Sequence, residues 1–97
     1  MKVIIFDNGE SQVYLHINKI TRTYVHKYAH YTRTTIHMNN YQIFISDFQH
    51  GNFNTLLHDF IESNENLKII KIKNLVYEKD EIQVTLVDWV SEAMGKE

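Results

Sequence analysis

One stretch of this chain, GNFNTLLHDFIESN from Gly51 to Asn64, departs from the period of the segments around it. Phe53, Leu56, Leu57, Phe60 and Ile61 recur at spacings of three and four, which places them on one stripe of a helix. Asn54, His58, Asp59 and Glu62 fall away from that stripe. The pattern predicts an amphipathic helix over about residues 53–63, with Asn52 or Asn54 able to cap its start and Asn64 able to end it. A helix of this kind must bury its stripe against something, and the surrounding segments read as strands.

The strands come in hairpins. VIIF, then DNGE, then SQVYLHI is a turn flanked by alternating apolar residues, and Asn8-Gly9 can supply the positive φ angles of a two-residue turn. That register sets Ile4 opposite Val13 and Phe6 opposite Ser11, with Ile4, Phe6, Val13 and Leu15 on one face. In TTIHMNNYQIFIS, Asn39-Asn40 plays the same part, so Met38 faces Tyr41 and Ile36 faces Ile43. Met38, Ile36, Tyr41, Ile43 and Ile45 then form an apolar face. Arg33, Thr35 and His37 lie on the opposite one with Gln42 and Phe44.

ITRTYV, rich in β-branched and aromatic residues, requires a further strand between these hairpins. After the helix, LKIIKIKNLVY, the polar turn EKDE and IQVTLV read as another hairpin, with Ile82, Val84 and Leu86 facing the core. DWVSEAMG is compatible with a short C-terminal helix capped by Asp88 and stopped by Gly95. The expected fold is α+β: one domain over residues 1–97, with an antiparallel sheet of five or six strands and the helix packed on one face.

The chain has no cysteine, which removes disulfides, thiolate nucleophiles and Cys-based metal sites. With no apolar run near the ~20 residues of a membrane span and only four apolar residues in sequence after Lys2, a cytoplasmic location is expected. Charge is uneven. From Ser11 to Ser46 there is no Asp or Glu, while Lys19, Arg22, Lys27, Arg33 and four histidines occur; from Asp59 onward nine carboxylates face five lysines. Such a dipolar distribution can orient a charged partner.

The carboxylate-free segment TYVHKYAHYTRTTIH raises the question of chemistry. His26 and His30 are four apart, the spacing that puts two imidazoles on one helix face as in helical zinc sites. The residue after His26, where a zinc protease would place its glutamate base, is Lys27. Thr21, Thr23, Val25, Thr32, Thr34 and Thr35 favour strand, and in a strand residues four apart are ~13 Å apart, too far to share an ion. Only histidines from different strands, among His16, His26, His30 and His37, could then meet. No metal, cofactor or catalytic residue is therefore assigned. There is no phosphate-binding glycine loop and no nucleophile elbow, and His58-Asp59 would point about 100 degrees apart on the helix.

What remains is a surface. Tyr24, Lys27, Tyr28, Tyr31, Arg33, His37 and Phe44 offer aromatic rings and cations without a carboxylate in their segment. That combination suits a non-catalytic protein-binding or regulatory module acting on a larger protein, such as a small inhibitor or accessory factor, of the mobile-element type, for a nucleic-acid-processing complex. The alternative is a single-stranded nucleic-acid-binding domain that stacks bases on this face. Its affinity is expected to be weak, because few Lys and Arg residues are available to displace counterions. Monomer and homodimer are both compatible with the sequence.

Overall fold

A computed structural model describes residues 1–49, 52–87 and 90–94. In chain order the elements are β1 (Val3–Asp7), β2 (Gln12–His16), β3 (Arg22–Lys27), β4 (Thr32–His37), β5 (Gln42–Asp47), α1 (Asn52–Glu62), β6 (Leu67–Lys71), β7 (Asn74–Glu78), β8 (Glu81–Leu86) and β9 (Val90–Met94). The class is α+β, with α1 as expected. The strands form two sheets rather than one: a four-stranded sheet in the order β2-β1-β6-β9 and a five-stranded sheet in the order β3-β4-β5-β8-β7.

Both sheets are mixed. β1 pairs parallel with β6 and β5 pairs parallel with β8, while the remaining pairs are antiparallel. A parallel pair needs a long connection. After β5 the chain forms α1 and enters the other sheet as β6, and it then returns to the first as β7 and β8. LKIIKIKNLVY is thus divided between two sheets, and only its second part enters the hairpin with IQVTLV. The break falls at Ile72, whose buried side chain and N–H bond to the Asp7 carbonyl (2.9 Å) hold it beside β1.

The two sheets and α1 share one core. Ile4, Phe6, Val13 and Leu15 come from one sheet, Ile36, Ile43, Ile45, Val84 and Leu86 from the other, and Phe53, Leu57 and Phe60 from the helix. Phe6 and Phe53 meet with ring centroids 5.8 Å apart. Ile61, the last residue of the helical stripe, is 45% exposed, so the stripe runs past the edge of the core.

The β4–β5 hairpin has the expected register, Ile36 against Ile43, with Met38 N–H donating to the Tyr41 carbonyl at 2.9 Å. The first hairpin turns one residue later than expected. Asn8 N–H donates to the Ser11 carbonyl, which sets Phe6 against Val13 and Ile4 against Leu15. Side-chain acceptors hold it there: Asp7 Oδ1 takes the Gly9 N–H, and Asn8 Oδ1 takes those of Glu10 and Ser11. Gly9 takes a positive φ, at 93°. The pairing moves by two residues, so the same four side chains still face inward.

Two local expectations are corrected. The start of α1 is held by Asp47 at the end of β5, whose Oδ2 accepts the Phe53 N–H at 2.8 Å and whose Oδ1 accepts that of Gln49 at 2.9 Å. Asn54 instead accepts a hydrogen bond from the Thr34 hydroxyl. Val90–Met94, in place of a short C-terminal helix, is a strand paired antiparallel with β6. Ladder hydrogen bonds along an otherwise bare edge outweigh a marginal local preference for helix. Asp88 and Gly95, read as cap and stop, lie outside the described residues. No helix among the described residues is long and apolar enough to cross a membrane.

Candidate interaction surface

The face of the five-stranded sheet turned away from the core carries most of the residues singled out in the sequence. The pairing puts them in rows: Arg22, His37, Gln42, Glu81 and Glu78 in one, and Tyr24, Thr35, Phe44, Gln83 and Val76 in the next. His26, Arg33, Ser46, Thr85 and Asn74 form a third. The same registers continue past the strand ends to Tyr28, Tyr31 and Phe48.

Tyr24, Tyr28, Tyr31, Arg33, His37 and Phe44 therefore share one outer face. Lys27 does not. The sequence gives no sign of the tight turn that separates β3 from β4 at Ala29-His30, because neither residue is a typical turn former. Tyr28 N–H donates to the Tyr31 carbonyl at 2.8 Å, and a two-residue turn makes even positions of β3 share a face with odd positions of β4. Lys27 is thereby turned to the opposite face. Arg22, His26 and Phe48 join the outer face and were missed. Phe48 follows Phe44, and Arg22 and His26 flank Tyr24, at the same parity, so extending the alternation of β5 and β3 would have found all three.

The rings touch one another. Tyr28 stacks on Tyr31 with centroids 4.9 Å apart, and Tyr31 stacks on Phe48 at 5.1 Å, both with nearly parallel planes. His26 extends the column against Tyr28 at 5.9 Å. The guanidinium of Arg33 lies 4.3 Å from the centre of the Phe44 ring, a cation–π contact. Tyr24 meets His37 edge to face, and its hydroxyl accepts a hydrogen bond from Arg22 at 2.9 Å. Contacts of this kind fix side chains before any partner arrives, which lowers the entropy lost on binding.

Tyr24, Tyr28 and Phe48 each keep 41–48% of their surface exposed. Charge runs across the face, from Arg22 and Arg33 on β3 and β4 to Glu81 and Glu78 on β8 and β7. The charge asymmetry of the sequence thus becomes a direction on one surface.

Among the described residues the histidines do not gather into a metal-holding group. His26 and His37 are engaged with tyrosines on this face, while His16 stacks with Tyr14 on the other sheet. Among the described residues no group of three or more His, Asp or Glu is placed to hold a metal ion. Comparison of the chain with protein-family models, curated proteins and solved structures finds no match.

Proposed function

We propose that the protein is a non-catalytic binding or regulatory module that docks on a larger protein through the outer face of its five-stranded sheet. The observation that carries this reading is the row of stacked rings Tyr28, Tyr31 and Phe48 beside the Arg33–Phe44 pair. Tyrosine, phenylalanine and arginine in pre-ordered, half-exposed positions are the residue types that dominate the energy of protein interfaces. The acidic corner at Glu78, Asp80 and Glu81 suits a partner with a basic patch, and a nucleic-acid-processing complex is the partner class we favour.

Single-stranded nucleic acid is the second reading, favoured by Arg22, His26, Arg33 and His37 on a face that also carries exposed rings. Two features weigh against it. Centroids 4.9 and 5.1 Å apart are too close for rings lying side by side, so the rings overlap and turn much of their faces toward each other. Bases need those faces. Arg33 and Arg22 are also engaged with Phe44 and Tyr24, not extended toward solvent phosphates.

The test is affinity capture from the native host with the wild-type chain and with a Tyr28→Ala, Tyr31→Ala, Arg33→Ala variant of unchanged circular dichroism. A specific protein retained by the wild type and lost by the variant supports the reading. Fluorescence anisotropy with a labelled oligonucleotide at low salt examines the alternative, which needs saturable binding that falls steeply as salt rises.

A further inference from the structure

The edge of the five-stranded sheet at β3 is open, and it borders a groove. All six residues of β3 are exposed. Because Tyr28 N–H bonds across to Tyr31 and the antiparallel register alternates, Tyr24 and His26 turn their backbone groups toward β4. The N–H and C=O groups of Thr23, Val25 and Lys27 point the other way, along the free edge.

The side chains of those same three residues line one wall of a groove of about 640 Å³ whose other wall is α1, at Thr55, His58 and Ile61. Val25 and Ile61, 47% and 45% exposed, leave apolar surface open in it. Free backbone groups and a groove for alternate side chains therefore occur together. An extended segment paired to β3 would send every second side chain into the groove and the others beside Arg22, Tyr24 and His26.

We propose that this edge and groove form a strand-addition site for an acidic extended segment of a partner protein. Charge selects the occupant. Lys27 lines the groove and Arg22 lies at its rim, and among the described residues no carboxylate lines the groove. A second copy of β3 would bring its Arg22 and Lys27 into the same ladder as those of the first, which disfavours a symmetric dimer here. The groove lies on the opposite side of the sheet from the outer aromatic face, and the segment would meet that face only at its rim, at Arg22, Tyr24 and His26.

The test uses a labelled peptide of about seven residues, alternating glutamate and valine with blocked ends, long enough to span β3. The expected result is saturable anisotropy, with an affinity at least about tenfold above that of the matching lysine–valine peptide. Hydrogen exchange should slow at the amides of Thr23, Val25 and Lys27. N-methylation of either the valines or the glutamates should abolish binding while methylation of the other set is tolerated, because only one set turns its N–H groups to β3; which set also reports strand direction.

Val25→Pro should lose the peptide, since it removes an outward N–H without breaking the β3–β4 ladder; the methylated peptides keep the test decisive if that variant misfolds. The variant of Tyr28, Tyr31 and Arg33 described above should bind the peptide as the wild type does, so failure of one site is distinguishable from failure of the other. Equal affinity for the lysine peptide, binding that survives both methylations, or protection of the three amides through self-association without peptide would each overturn the proposal.

Discussion

Asp47 shows how much one side chain can organise. It is 1% exposed, ends β5, and accepts the N–H groups of Gln49 and Phe53 with its two oxygens. It thereby joins the central strand of the five-stranded sheet to the start of α1, the only α-helix among the described residues. Asp47→Ala should destabilise the fold by about 1–3 kcal/mol, because buried donors lose their acceptor, and Asp47→Asn, which keeps one oxygen, by less. Urea denaturation followed by circular dichroism measures both. Gly9 is a second sensitive position for a different reason. A Cβ there would meet nothing within 4 Å, so the cost of Gly9→Ala comes from its φ of 93° alone, roughly 1–2 kcal/mol in the same experiment.

Among the elements, β3 and α1 differ in what they do for the fold. α1 gives Phe53, Leu57 and Phe60 to the core, and Phe60→Ala should cost about 3–5 kcal/mol. β3 gives no buried side chain. Tyr31→Ala, which removes the middle ring of the column beside it, should cost only ~1 kcal/mol, so in a thermal melt the two substitutions separate core from surface. This contrast also explains what the sequence could reveal. The helix, the β4–β5 register and the inward face of the first hairpin were legible because each follows from local periodicity or a recognisable turn. The division into two sheets was not, because the β1–β6 and β5–β8 pairs join segments distant in the chain. Nor could Lys27 be placed on its proper face while the turn at Ala29-His30 was unmarked by glycine, asparagine or proline. Tyr24, Tyr28, Tyr31, Arg33, His37 and Phe44 come together because the two-residue turn brings even positions of β3 and odd positions of β4 to one face; the same turn sends Lys27 to the other.

At the scale of the whole molecule, one face of each sheet supplies the common core, and the outer face of the five-stranded sheet carries ordered rings with charge running from basic to acidic across it. A polarised, pre-ordered surface favours docking on a protein of complementary charge over wrapping by a flexible polyanion. Raising salt should therefore slow association with the partner more than it speeds dissociation, which surface plasmon resonance at two ionic strengths resolves. The most direct measurement is quantitative capture from the native host by the wild type and by the folded Tyr28→Ala, Tyr31→Ala, Arg33→Ala variant, side by side. The account predicts a defined protein partner that the wild type retains and the variant loses; retention of the same partner at the same level by both would contradict it.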